Sequence, residues 1–230
     1  MTQKKISRKK LLKEPDEFIT TTQKIFQFVR DHRQRLIHYG IIVGGVAVIA
    51  GGAYTYFYWQ EGKSRKIQGE GFQLYQEAFA QGGTPGGEKE NYRKALEKFQ
   101  KALAVYGRGD TAQFSLICMA NCYYYLKEYD QAITTYNRLL EGPYRSMALN
   151  GLGYSYEAKG NYSQALEYYQ KKQEGASPSY PLENLLDMAR CYEALNQKQK
   201  ALEIYQKAAA QNAKSQSADF IQWKISELRG

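Results

Sequence analysis

Histidine and cysteine are scarce in this sequence of 230 residues, and their scarcity excludes several kinds of chemistry. The two histidines, His32 and His38, both precede the long apolar segment, and no histidine follows it. Ser–His–Asp catalysis, Cys–His catalysis and histidine-ligated metals are therefore excluded from the larger part of the chain. The three cysteines, Cys118, Cys122 and Cys191, lack zinc-binding spacing and form no disulfide framework, so we expect them to be small buried residues. We expect no enzymatic activity, no cofactor and no metal.

Charge is unevenly distributed along the chain. Of the net charge of +9, residues 1–38 hold +6, because they contain ten Lys and Arg against four Asp and Glu. The rest of the chain is thus close to neutral. A basic tail of this kind favours an anionic membrane surface over nucleic acid, because nucleic-acid-binding domains carry the basic residues on the domain itself. We therefore expect a membrane partner and no nucleic-acid partner.

Charged side chains are absent from Leu36 to Gln60. Within that stretch, residues 39–59 form an apolar segment that, at about 1.5 Å per helical residue, spans a hydrocarbon core of about 30 Å. The sequence therefore predicts a basic leader at 1–38, a transmembrane helix at 39–59 and a separate domain at 60–230. A signal peptide cleaved at Gly51-Gly52-Ala53 is the alternative, although the leader is long for one and the apolar run continues past that site.

Basic residues around the span predict its orientation. Within twenty residues of the span, the N-terminal flank has four Lys and Arg and the C-terminal flank has three, so this local difference is small. The rest of the leader adds six, whereas a large C-terminal domain can be translocated largely regardless of its charge. We therefore expect a single-pass protein with a cytoplasmic N-terminus. Within the leader, Pro15-Asp16-Glu17 predicts the start of a helix. That helix has an apolar stripe that either lies on the inner leaflet or packs against a partner helix (Phe18, Ile19, Thr22, Ile25, Phe26 and Val29).

Small residues recur inside the predicted span at steps of four, three and four. Gly40, Gly44, Ala47 and Gly51 therefore share one helical face. Such a face permits close approach of another helix, so we expect self-association or partner packing there. Glycine is common in transmembrane helices, so the alternative is that these residues make no specific contact.

A repeated pattern of about 34 residues follows the span. Tyr-x-x-Ala begins at Tyr92, Tyr129 and Tyr162, and a fourth copy keeps only its alanine, Ala201. Each alanine is followed by an aliphatic residue and, four positions beyond the alanine, by an aromatic one. The last three copies are preceded by a segment in which a small residue lies between a large apolar residue and an aromatic (Leu116 to Tyr123, Leu149 to Tyr156 and Leu185 to Tyr192).

These segments resemble tetratricopeptide repeats, in which two helices form a hairpin and the small residue permits their close packing. The resemblance implies an all-α fold, an α-solenoid of about four helical hairpins, with Gly160-Asn161 in one turn between helices. Residues 217–228 are expected to form a capping helix with apolar Phe220, Ile221, Trp223, Ile225 and Leu228. The first hairpin is less regular, because Gly82 to Gly87 form a glycine-rich loop and its first helix, at about 64–80, has no clear register.

The resemblance also implies a groove on the first helices of the hairpins. Transferred by register, its lining residues are Phe114, Ile117, Asn121, Tyr124, Asn150, Tyr154, Glu157, Arg190 and Glu193, with Tyr125, Met147, Ala158, Glu183, Leu186 and Ala194 at the same register positions. Aromatic and amide side chains are suited to binding an extended or partly folded polypeptide. The alternative for any one of these residues is that it packs against the next repeat. The loop at 81–91 is the next candidate surface.

A basic leader, one early anchor and a modest tetratricopeptide domain resemble the ancillary subunit of the bacterial Sec translocon. The resemblance implies an inner-membrane protein with periplasmic repeats, which associates with the translocon and shares clients with periplasmic chaperones. We therefore predict a membrane-tethered scaffold that binds polypeptides. The alternatives are a structural subunit of a larger membrane assembly and an import-receptor-like protein whose repeats face the cytosol.

Overall fold

A computed structural model describes residues 17–80, 87–173, 182–211 and 217–230. These residues form ten α-helices: α1 Glu17–Asp31, α2 Arg33–Ala80, α3 Gly87–Val105, α4 Gly109–Tyr125, α5 Tyr129–Asn137, α6 Arg145–Ala158, α7 Tyr162–Gln173, α8 Leu182–Ala194, α9 Lys198–Gln211 and α10 Ala218–Arg229. The chain divides into one unit up to Phe57 and another from Tyr58 onward. The all-α prediction is confirmed for the described residues.

The first unit contains α1 and the beginning of α2. Helix α1 begins at Glu17, next to the predicted start, although Pro15 and Asp16 lie outside the described residues. Its apolar side chains Ile25, Phe26 and Val29 are exposed, as an amphipathic surface helix requires. Phe18 and Ile19 belong to the predicted stripe, but their side chains are outside the described part, as is the leader before residue 17.

Helix α2 contains the predicted span. By length and composition it is the one described helix that can cross a membrane, and the side chains of its apolar window are exposed. A Cβ atom added at Gly40, Gly44 or Gly51 would meet no described atom within 4 Å, so the small-residue face is uncovered in the single chain. Residues 39–59 show no break, and the helix runs on to Ala80.

The second unit consists of helical hairpins. Helices α4 and α5, α6 and α7, and α8 and α9 pack as pairs, and α10 packs against α9. These are the three repeats and the terminal helix that the sequence predicts. Pro178 and the Gly82–Gly86 part of the glycine-rich loop lie outside the described residues, whereas α3 already begins at Gly87.

The first hairpin is made by the end of α2 and by α3. Ser64, Gly71 and Ala78 are buried at steps of seven residues along α2, so they form one face. The Ser64 hydroxyl donates a hydrogen bond of 2.8 Å to the carbonyl oxygen of Ala102, and the backbone of Gly71 lies against the ring of Phe99. The first helix of the first repeat is therefore the continuation of the predicted transmembrane helix.

The three cysteines are free and buried, which confirms their predicted role as small core residues. Burial raises the pKa of Cys118 and of Cys191 to about 12. Their thiols therefore stay protonated near neutral pH, and protonated buried thiols are poor nucleophiles.

The turns inside the three hairpins from α4 to α9 share one backbone feature. Lys127, Gly160 and Asn196 each stand two residues beyond a first helix, with φ of 64°, 76° and 57°. The amide of Gly160 donates to the carbonyl oxygen of Glu157 at 2.8 Å, and the amide of the next residue, Asn161, donates to that of Tyr156 at 2.9 Å. This is the Schellman arrangement that ends many helices and favours glycine or asparagine. The predicted turn at Gly160-Asn161 is confirmed.

Of these three residues, Lys127 is the one whose residue type is not suited to positive φ. We expect Lys127→Gly to raise the free energy of unfolding by about 1 kcal/mol, because it relieves the clash between Cβ and the backbone. Urea denaturation of the full-length protein in detergent measures this change. Gly160→Ala is the reverse control and should lower stability by a similar amount. A loss of stability in Lys127→Gly would contradict the assignment of strain to this turn.

Candidate functional site

The candidate site is the face formed by the predicted groove residues of α4, α6 and α8, which we call the groove surface. Most of these side chains are half-buried: Phe114, Asn121, Tyr124, Asn150, Tyr154, Glu157 and Glu193. Arg190, Ala158 and Ala194 are exposed. The groove surface therefore combines accessible side chains with side chains that also support the fold.

Ile117 does not lie on this surface. It is 5% exposed and belongs to the same core cluster as Phe72 and Tyr75 of α2. Its assignment to the open groove needs this correction, because packing in the core cluster removes its side chain from the surface. The sequence could not show this packing while the register of α2 was unknown.

A row of tyrosine rings lies along the first half of the groove surface. Tyr92 of α3 stacks on Tyr125 of α4 with ring centroids 4.9 Å apart. Tyr125 contacts Tyr124 edge-on, and Tyr124 lies 6.4 Å from Tyr154 of the next repeat. Tyr92 is buried, so the rings that can receive apolar side chains of a partner are those of Tyr124, Tyr125 and Tyr154.

One tyrosine from each of the second helices α5, α7 and α9 fixes a polar residue of the groove surface. Tyr136 donates a hydrogen bond of 2.6 Å to Asn121, Tyr169 donates one of 3.0 Å to Glu157, and Tyr205 donates one of 2.6 Å to Glu193. Burial raises the pKa of all three phenols, so they remain protonated donors at neutral pH. These hydrogen bonds hold the three groove side chains in place.

Tyr154 and Asn150 also bond within the chain. The Tyr154 hydroxyl lies 3.0 Å from a carboxylate oxygen of Glu183 and 3.2 Å from one of Asp187, both in α8. The Lys172 amine donates to the side-chain oxygen of Asn150 at 2.8 Å. Tyr154 thus joins neighbouring repeats, and the alternative of inter-repeat packing applies to it. Lys172, which replaces the alanine usual at its position, serves as a partner for a groove amide.

Two clusters of charge lie on the second half of the surface. In the Arg190 cluster, the guanidinium donates to both carboxylate oxygens of Glu157 and, at 2.8 Å, to Asp187. Burial raises the pKa of Asp187, and the charge of Arg190 opposes that rise. A bidentate Arg–carboxylate contact fixes both side chains.

In the Lys224 cluster, the amine of Lys224 in α10 lies 2.8 Å from Glu193 and 3.2 Å from Glu227. In both clusters one cation is shared by two carboxylates, so each cluster has a net charge of −1.

A cavity of about 510 Å³ lies beside these clusters, between α8, α9 and α10. Its apolar walls include Leu186, Ala194 and Phe220, and Tyr205 lies at its base. The sequence predicts Phe220 and Trp223 only as apolar residues of a capping helix, but they are 46% and 55% exposed. Helix α10 packs through Ile221 and Ile225 instead, which leaves the rings of Phe220 and Trp223 at the surface.

Among the described residues, no group of three or more His, Cys, Asp or Glu side chains is arranged to hold a metal ion. The carboxylates of the groove surface are instead paired with Arg190 and Lys224, as described above. The groove surface offers apolar contacts, hydrogen bonds and ion pairs.

Paired helices, small residues at the crossing points and positive φ in the turns define a helical-repeat protein. Two family models, both described as tetratricopeptide repeat, match residues 119–181 and 183–215. The chain therefore contains tetratricopeptide repeats over residues 119–215. Repeats of this kind imply a scaffold for protein interactions.

Solved structures support the same fold. The chain resembles MamA 41-end from Desulfovibrio magneticus RS-1, with 16% identity, a TM-score of 0.51 and coverage of 74% of this chain and 93% of that one. A MamA RS-1 double mutant matches with 16% identity, a TM-score of 0.50 and coverage of 71% and 94%. No curated protein matches the chain significantly.

Proposed function

We propose that this protein is a membrane-tethered scaffold whose groove surface binds polypeptide segments at the periplasmic face of a bacterial inner membrane. The observation that carries the proposal is that α2 is one unbroken helix from Arg33 to Ala80. Its first part is apolar and exposed, and its last part is the first helix of the first repeat.

The exposed apolar residues of α2 support the tether. Val46, Val48 and Ile49 are between 61% and 76% exposed, and none of their neighbours in the uncharged stretch is buried by the described chain. A lipid environment removes such a surface from water, whereas an isolated helix in water does not. The aromatic residues from Tyr54 to Trp59 are suited to the interface at its far end.

The groove surface supports polypeptide binding. It combines tyrosine rings, fixed amide and carboxylate groups and a cavity with apolar walls. Rings and cavities accept apolar side chains, and fixed polar groups accept backbone or side-chain hydrogen bonds. The partners that we propose, the Sec translocon and client proteins shared with periplasmic chaperones, rest on the likeness in architecture between this chain and the translocon's ancillary subunit.

Protease accessibility tests the topology. In spheroplasts of a bacterium that makes the protein, added protease should degrade the repeat domain after Trp59 and spare the leader before Leu36. The reason is that the basic leader stays on the cytoplasmic side. A cytoplasmic marker protein must remain intact as the control. Protection of the repeat domain until the membrane is opened would instead support the cytosol-facing alternative.

A further inference from the structure

The cavity between α8, α9 and α10 has an apolar interior. Leu186 and Ala194 of α8 and Phe220 of α10 line it, and Phe220 is 46% exposed. Trp223 lies one turn further along α10, with its ring centroid 6.0 Å from that of Phe220. Two large rings exposed at the rim of a concave site are unusual on a solvated face and are typical of a place where an apolar side chain binds.

Charged residues of both signs surround the cavity: Arg190, Lys224 and Glu193 line it, and further carboxylates contact the two cations. The Lys224 cluster borders it directly, and the Arg190 cluster adjoins it through Arg190. Each cluster has two carboxylates for one cation, so together they carry a net charge of −2. Glu183, which is exposed and accepts a hydrogen bond from Tyr154, adds a further negative charge on the same helix.

The cations of the rim already have partners. The amine of Lys224 contacts Glu193 and Glu227 and lies 5.1 Å from the ring of Trp223, while the Glu227 side chain is 50% exposed. An incoming cation therefore meets carboxylates that are only partly neutralised, whereas an incoming anion meets a net negative rim. Charge of this kind selects between partners more strongly than it contributes to affinity.

We infer that this cavity binds a basic polypeptide segment that also has an apolar side chain. The apolar side chain enters between Leu186, Ala194 and Phe220, and a neighbouring lysine or arginine lies against Glu193 and Glu227. This inference rests on the proposed function, since it names the kind of polypeptide that the groove surface binds. It requires binding to weaken as salt concentration rises.

The test uses full-length protein in phosphatidylcholine nanodiscs and three fluorescein-labelled peptides of twelve residues. One is built of Lys-Leu-Ser-Gly units, one of Glu-Leu-Ser-Gly units and one of Lys-Ser-Ser-Gly units. Fluorescence anisotropy, corrected for binding to empty nanodiscs, should show that the first peptide binds at least tenfold more tightly than the other two. Equal binding of the acidic peptide would overturn the inference.

Ala194→Trp fills the cavity from an exposed position and should weaken binding of the basic apolar peptide at least tenfold. Ala104→Trp is the matched control, because Ala104 is an exposed alanine of α3 that lies outside the groove surface and does not line the cavity. Ala158→Trp places the same ring on the groove surface of α6, away from the cavity. Glu193→Gln should weaken binding severalfold, whereas Glu167→Gln, on the exposed side of α7, should not. Melting temperatures show whether each variant is folded.

Unchanged binding by Ala194→Trp would overturn the inference, and so would a failure of all three peptides to bind. Loss of binding in Ala158→Trp alone would locate polypeptide binding elsewhere on the groove surface, so the proposed function would stand and the inference would fail. If Ala194→Trp converts a dimer to a monomer in mass photometry, the occupant of the cavity is a second copy of this chain, and the inference is wrong.

Discussion

Gly153→Leu should unfold the repeat domain or reduce its free energy of unfolding by roughly 3 kcal/mol or more, the upper end of the cost of overpacking a core. Gly153 is buried in α6, and a Cβ atom built there would lie 2.3 Å from Cε1 of Tyr169. The Tyr169 ring is fully buried and its hydroxyl is held by Glu157, so it cannot move aside cheaply. Since domains are stable by only about 5–15 kcal/mol, the loss is a large share of the total.

Circular dichroism during urea denaturation of the full-length protein in detergent measures the effect. Gly69→Leu is the control, because Gly69 is an exposed helical glycine and an added Cβ there would meet no described atom within 4 Å. It should leave stability unchanged or raise it slightly, since glycine is a poor helix former. Tyr169→Ala should partly rescue Gly153→Leu by removing the ring that the leucine meets. Equal stability of Gly153→Leu and the original chain would contradict this packing.

Two aspartates in the middle of the apolar segment should release the protein from the membrane. Val46 and Ile49 are exposed on α2 and lie near the middle of the predicted span. Each aspartate near the centre of a transmembrane helix costs about 2.5–3.5 kcal/mol of insertion free energy. The double variant Val46→Asp with Ile49→Asp should therefore lose most of its insertion when synthesised in a cell-free system with membrane vesicles.

Resistance to carbonate extraction measures insertion. The double variant Val46→Leu with Ile49→Leu is the matched control and should remain with the membranes as the original chain does. If the aspartate variant resists extraction as well as the leucine variant, residues 39–59 are not the anchor. Cell-free synthesis limits the degradation of uninserted protein. A loss of insertion is then not mistaken for a loss of expression.

The three regular hairpins were predictable because their packing depends on local spacing. The small residue of each first helix and the Tyr-x-x-Ala core of each second helix recur along the chain, and Gly153 does meet Tyr169 across the hairpin. The first hairpin was not predictable in the same way. Gly71 of α2 occupies the position that corresponds to Gly153. The residue before Gly71 is Glu70, whereas the other repeats have leucine or methionine at that position.

The groove surface was only partly predictable. Register alone places Asn121, Glu157 and Glu193 on the first helices, but it cannot show that a tyrosine of the second helix bonds to each. Gly151, a second close contact in which an added Cβ would lie 2.2 Å from Cζ of Tyr136, was missed because it joins two repeats rather than two helices of one hairpin. Contacts between neighbouring repeats, unlike those inside a hairpin, are not marked by the residue spacing that identifies the repeat.

The exposed rings of α10 were missed for a related reason. Apolar residues occur around more than one face of this helix, so its sequence does not show which face is buried. Packing against α9 buries Ile221 and Ile225 and leaves Phe220 and Trp223 accessible. The sequence did contain an indication of these exposed rings, because α10 has more apolar residues than one buried face needs.

Position-specific crosslinking in intact cells tests the central claim most directly. A photo-crosslinking amino acid is placed at Ala158 or Ala194 on the groove surface, and at Glu167 or Gln206 on exposed positions of second helices. If the repeats bind polypeptide through the groove surface at a membrane, Ala158 and Ala194 should give membrane-associated crosslinks to other proteins in severalfold higher yield than the two controls. Equal yields at all four positions, or crosslinks confined to Glu167 and Gln206, would contradict the account.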